Sequence, residues 1–297
     1  MEAPEPHQSE LHPHFCRHKI EEETIPEQVI MERYQVISKS RFGSTSTAWL
    51  ARDLSARHYV ALKFFIQSSC MSRQLDDERQ HHCLVHPPLF ESVLTFLRRN
   101  PVGRLPSAVL AFVTYRVFMA LDFLHNECHV IHTDPIPREE VAEGRLICIS
   151  REMPRPKRVG HPVLCDFGSA MFGDNYREDI DIWNVGCMIW DMYEGGELFR
   201  GYDPEFERYR SRKHLAEMIN LLGPPPPEFI AQGRRKDEFF SSGGRLLFEC
   251  LLTDQVPLEE RETTLKGEDR EAFLRLTRKM LQWDPSKRST VKELVED

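Results

Sequence analysis

The sequence predicts an α+β chain in two lobes, a small β-rich one followed by a larger helical one. Two observations predict it. Between Tyr34 and Ile66, short runs of β-branched and aromatic residues alternate with turn residues. After Asp181 most apolar residues recur at helical spacing.

Taken in order, residues 1–33 are rich in Glu, Pro and His and read as a flexible tail. The tail carries His7, His12, His14, Cys16 and His18, which are zinc-ligand types, but their spacing matches no standard zinc pattern. Residues 34–89 read as an incomplete β-rich lobe. Tyr34 to Ser38 is a strand, Ser40 to Thr47 a small-residue loop around Gly43, Ala48 to Ala51 a second strand, and Tyr59 to Ile66 a third that includes Lys63. Residues 90–297 read as the helical lobe. Its first long helix spans Pro106 to Glu127, with Val109, Phe112, Val113, Val117, Ala120, Leu121 and Leu124 on the predicted buried face. His129-Val130-Ile131 and Val163-Leu164-Cys165 are expected strands, and residues 135–162 an irregular, Pro- and charge-rich insert. Further helices are expected near 181–194, 212–222, 226–233, 269–282 and 290–296, with Pro224 to Pro227 ending one of them.

Composition bounds the function. Of 297 residues, 39 are Lys or Arg and 47 Asp or Glu, a formal charge of −8. That balance disfavours nucleic acid and anionic membranes as partners and suits a basic one. No run approaches the roughly 18 continuous apolar residues of a spanning helix. The start shows neither a basic n-region nor an apolar h-region, so no secretory signal is expected. The eight cysteines are scattered without a C-x-x-C pair, which suggests reduced thiols in a cytoplasmic or nuclear protein. A monomer is expected.

Three short strings carry the chemistry. Val60-Ala61-Leu62-Lys63 lies on a strand after the small-residue loop. His132-Thr133-Asp134 follows one apolar strand, and Asp166-Phe167-Gly168 follows another. In this order they match the protein-kinase signature set. Asp181-Ile182-Trp183-Asn184-Val185-Gly186-Cys187 resembles the start of the kinase F helix, and Trp283 to Arg288 a late C-lobe motif. His129 to Asp134, with Thr133 where most kinases have Arg, resembles the SR-protein kinases. So do Ser46 to Asp53, Leu121 to His125 and Leu221 to Pro227. The resemblance points to a filamentous-fungal branch of that family of serine/threonine kinases. It covers about residues 22–297, with gaps.

The resemblance implies a bilobal protein-kinase-like fold, with ATP and Mg²⁺ as cofactors and an Arg/Ser-rich protein as substrate. By the same resemblance Lys63 holds the α- and β-phosphates, Asp166 binds Mg²⁺ and Asp134 orients the substrate hydroxyl. Gly43 and Ser46 belong to the phosphate loop. The Pro87 carbonyl and the Leu89 N–H meet adenine.

The chain also departs from the family. The three glycine positions of the loop read Arg41, Gly43 and Ser46. Only seven residues separate Glu78, the candidate partner of Lys63, from His86. That is too few for the rest of a helix and two strands. A missing edge strand would leave a new exposed sheet edge. The second Mg²⁺ ligand, normally Asn, falls at Glu139, an oxygen ligand type more readily read as a solvated side chain. The usual Lys falls at Ile136, between Pro135 and Pro137. Only 12 residues, 169 to 180, precede Asp181. The A-P-E string is absent, so Arg288 is expected to lack its usual glutamate. Three readings follow: an active kinase, a pseudokinase that holds nucleotide with little transfer, or a truncated product without a stable N-lobe.

Overall fold

The computed structural model describes residues 14–18, 28–42, 46–65, 81–89, 92–132, 160–165, 167, 170–172 and 178–296. Of residues 14–18, 41, 42, 81, 82 and 172 it describes the backbone alone. They form two compact units. One is built on a sheet and takes in the described residues up to Leu89. The helical one begins at Ser92.

The first unit is a six-stranded antiparallel sheet: β1 (His14–His18), β2 (Val29–Ile30), β3 (Tyr34–Phe42), β4 (Ser46–Asp53), β5 (Tyr59–Phe65) and β6 (His81–His86). The strand order is β1-β6-β5-β4-β3-β2. Strand β3 runs on to Phe42, where a loop from Ser40 was expected, because its ladder with β4 continues to Phe42 opposite Thr47. Alternate residues of the strands gather one apolar face, in which Tyr34, Val36, Trp49, Ala51, Val60, Leu62, Phe64, Cys83 and Val85 are buried. Asp53 ends β4 and closes the turn to β5. Its carboxylate accepts from the Ser55 and Ala56 N–H groups and from Arg33. The Arg33 guanidinium holds it below the usual carboxylate range.

Residues 14–18 and 29–30 are strands, although the segment before Tyr34 read as a tail. Strand β1 lies antiparallel to β6, so the sheet edge expected to stand bare is covered by the chain's own N-terminal segment. Backbone donors and acceptors on an edge strand take whichever partner strand reaches them.

The second unit holds α1 (Val93–Arg99), α2 (Ser107–Phe123), α3 (Asp179–Glu194), α4 (Ser211–Leu222), α5 (Pro227–Gln232), α6 (Leu258–Arg261), α7 (Gly267–Met280) and α8 (Val291–Val295). Helix α2 buries Leu110, Val113, Thr114, Phe118 and Leu121; Val113 and Leu121 of the expected face are among them and Val117 and Leu124 pack on the same core, but Val109 and Phe112 are not buried. Those two, with Tyr115, Met119 and Phe123, are exposed. Apolar residues surround most of this helix, so its periodicity allowed more than one buried face. Continued through Cys128, the helix is long and apolar enough by composition to cross a membrane. Here Leu110, Val113, Phe118 and Leu121 pack into the core shared with α3 and α8.

Residues 161–165 form no strand. Instead β7 (Val130–Ile131) pairs with β8 (Met171–Phe172). Gly186 allows α3 to approach the end of α7: an added Cβ would stand 3.0 Å from both Met280 Cβ and Leu281 Cδ2. Helix α3 ends on Gly195 in the left-handed region, φ 73°.

Near that end, Asp191 accepts the Leu198 N–H at 2.7 Å. Burial pushes its carboxyl up from the ordinary 3.8 to about 6, against the Leu198 bond. The folded chain therefore holds this proton more tightly than the unfolded one, and stability falls as pH rises from 3.8 to about 6. Asp191→Asn keeps the acceptor and removes the charge. We expect a higher unfolding midpoint at pH 7 and a flatter stability profile across that window. An unchanged profile would show that Asp191 titrates normally.

Candidate functional site

Lys63 sits on the middle strand of the β4–β5–β6 ladder, opposite Ala48 on one side and Leu84 on the other. Its side chain is half-buried, with Nζ 5.4 Å from the Phe65 ring centroid. Ser46 opens β4, opposite Phe65, and is buried. Gly43 lies outside the described residues, as do Glu78, Asp134, Glu139 and Asp166.

The segment after β6 follows Lys63's own neighbour strand. His86 Nδ1 donates to the Pro87 carbonyl at 2.7 Å. Burial holds His86 below its ordinary 6.5 and the Lys63 charge adds to that, while the bond to Pro87 opposes it. The ring is therefore neutral near pH 7, with its proton on Nδ1. Pro87 and Leu89 are exposed. The Pro87 carbonyl keeps a second lone pair, so its engagement by His86 is compatible with an adenine donor. A lysine, a carbonyl and an N–H are group types that suit the phosphates and adenine of ATP.

In the second unit the flanks of both candidate aspartates are pinned. His132 lies two residues before Asp134. Its N–H donates to Asp181 Oδ2 at 2.8 Å, and its Nε2 donates to the Cys165 carbonyl at 2.8 Å. Cys165 immediately precedes Asp166. His125 Nε2 donates to the same Asp181 Oδ2 at 3.0 Å. Asp181 is 3% exposed and His125 4%. One carboxylate in the first turn of α3 thus joins the π-helical turn Leu124–Cys128 to the start of the His132-Thr133-Asp134 string. The F-helix string had singled out Asp181 without giving it a role. Its signal is an acid in the first turn of a largely apolar helix.

Arg288 meets a different carboxylate from the one the family supplies. Its Nη1 donates to the Asp179 carbonyl at 2.8 Å and stands 3.5 Å from the Asp179 carboxylate, and its Nε donates to the Gln282 carbonyl at 3.0 Å. The guanidinium also lies 4.8 Å from the Trp183 ring centroid. Asp179 lies within the short 169–180 segment that precedes Asp181.

The protein kinase domain model matches residues 169–297. A serine/threonine protein kinase of Aspergillus fumigatus is 33% identical, across 94% of this chain and 90% of the relative. The chain belongs to the serine/threonine protein kinase family. Other relatives are more distant. The serine/threonine-protein kinase SRPK of Physarum polycephalum is 22% identical over 91% of this chain and 86% of its own length. The dual specificity protein kinase CLK4 of Mus musculus is 25% identical over 74% of this chain and 50% of its own length. The Aspergillus alignment extends over 358 positions, more than the 297 residues of the whole chain. This kinase therefore skips segments that its relative carries, in keeping with the short spacings after Glu78 and after Gly168. The family uses ATP and Mg²⁺ and acts on proteins.

Proposed function

We propose that this chain is a serine/threonine kinase of the SR-protein-kinase type, transferring the γ-phosphoryl group of Mg-ATP to serine in Arg/Ser-rich proteins. The observation that carries the reading is the His132 brace. It ties the approach to Asp134 to α3 through Asp181 and the approach to Asp166 to the same histidine. Phosphoryl transfer depends on positioning and charge neutralisation, and a fixed approach to both aspartates is what positioning needs.

When bound, ATP supplies the transferable phosphoryl group and Mg²⁺ neutralises its charge. Lys63 would hold the α- and β-phosphates, with Gly43 and Ser46 lining the phosphate loop. The Pro87 carbonyl and Leu89 N–H would fix adenine, and Asp166 with Glu139 would hold the metal. Asp134 would orient the serine hydroxyl. The acidic balance of −8 favours an arginine-rich substrate.

A second reading is a pseudokinase that holds nucleotide and transfers little phosphate. The short spacings after Glu78 and after Gly168 and the absent A-P-E string favour it. Transfer of labelled γ-phosphate from Mg-ATP to an Arg-Ser repeat peptide separates the two. Steady transfer supports the first reading. An ATP-dependent rise in unfolding midpoint without transfer supports the second. A cooperatively folded sample that shows neither overturns both.

A further inference from the structure

We propose that Ser211 is an autophosphorylation site, modified by a second copy of this chain, an inference that rests on the Arg/Ser-directed kinase reading above. Ser211 is the one serine in the sequence with arginine on both sides, in the run Arg208-Tyr209-Arg210-Ser211-Arg212-Lys213. The chain thus carries a piece of the substrate class proposed for it.

The fold leaves that piece open to a kinase. Ser211 is the first residue of α4 and is exposed. The residues that lead to it are extended: β10 (Arg208–Tyr209) lies antiparallel to β9 (Tyr202–Asp203), and Arg210 follows at φ −141° and ψ 132°. Arg208 and Tyr209 are exposed as well. An active site that reads arginine before serine therefore meets extended backbone, and only the first turn of α4 has to open. Element ends open at the lowest cost in a fold. Arg210, at the cap position, makes no side-chain cap bond, so opening that turn breaks none.

The two flanking arginines differ. Arg212 is held by the carboxylates of Asp203 and Glu205. The Arg210 guanidinium lies over the exposed Phe206 ring, 4.4 Å from its centroid, a contact that is weak in water. Arg210 is therefore the one a substrate site can take up. Other serines next to arginine are placed otherwise. Ser40, before Arg41, lies inside β3. Ser289, after Arg288, is half-buried, its N–H donates to the Lys279 carbonyl at 3.0 Å, and Arg288 donates to the Asp179 and Gln282 carbonyls.

In the transfer, Ser211 Oγ bonds to the γ-phosphorus of ATP as that phosphorus parts from the β–γ bridging oxygen, which leaves with ADP. The hydroxyl proton passes to Asp134 of the transferring copy. Ser211 is anchored by β10 before it and α4 after it, and the His132 brace belongs to the same compact unit. Two fixed parts of one unit do not travel to each other, so the donor is a second copy. The product adds a charge of about −1.5 to −2 next to Arg210 and Arg212.

The test incubates the full chain with labelled Mg-ATP, with and without an Arg-Ser repeat peptide, and maps the label by mass spectrometry. Label is expected on Ser211, building faster per chain as chain concentration rises. Wild type should also pass it to Ser211 of inactive Asp134→Asn. Ser211→Ala should lose that label and keep peptide transfer, and Ser211→Thr should regain it. Arg210→Gln should slow labelling of the chain but not of the peptide. Alanine is a good helix former, so the Ser211→Ala unfolding midpoint should match wild type. Peptide transfer with Ser211 unlabelled would overturn this proposal and leave the kinase reading standing. Label on Ser211 that wild type cannot pass to Asp134→Asn would overturn the second copy as donor. No transfer to peptide or chain would overturn both readings.

Discussion

Asp134→Asn is expected to lower phosphate transfer to an Arg-Ser peptide by about 10²–10⁴-fold, the usual contribution of a positioned general base. That corresponds to about 3–5 kcal/mol of transition-state stabilisation. Asn has the size of Asp but cannot take a proton, so the loss should fall on kcat and leave the peptide KM nearly unchanged. The unfolding midpoint should stay near that of wild type, because His132 is anchored through Asp181 and Cys165. Equal transfer by variant and wild type would mean that another residue orients the hydroxyl and that the alignment of this loop is wrong.

Asp181→Ala is the second large effect, and it acts on stability. It removes the acceptor shared by the His132 N–H and His125 Nε2 in a setting where Asp181 and His125 are almost wholly buried. Each donor left unpaired away from water costs about 1–3 kcal/mol. Against a total stability of about 5–15 kcal/mol that is a large share. The thermal midpoint should fall by about 10 °C. Asp181→Asn retains one carbonyl oxygen and should fall by less. A midpoint for Asp181→Ala within a degree of wild type would show that the two histidine bonds contribute nothing net. Because His132 leads into Asp134, any transfer activity should fall further than the stability loss explains.

The elements that carry Lys63, His132 and Asp181 were legible because those strings are local. Lys63 lies on β5, His132 directly follows β7, and Asp181 lies in the first turn of α3. What could not be read were the partners of those strings. The Asp181 carboxylate lies 49 residues from the His132 N–H that it accepts, and Arg288 lies 109 residues from Asp179. No spacing rule links residues so far apart. The buried stripe of α2 was legible only in part: Val113 and Leu121 are buried as expected, while Val109 and Phe112 are exposed. With apolar residues on most sides, what decided it was where α3 and α8 lie, not the helix's own pattern.

The sequence by itself determined the family, the α+β class and the change from a β-rich stretch to a helical one. These follow from local propensity, periodicity and short motifs, which each stretch of chain carries with it. Only the tertiary structure decided that His14–His18 covers the edge of β6 and that Asp179 meets Arg288. Strand pairing is the reason. An edge offers the same backbone donors and acceptors along its whole length, so a strand's sequence does not name its partner. Register becomes definite only when one face is buried.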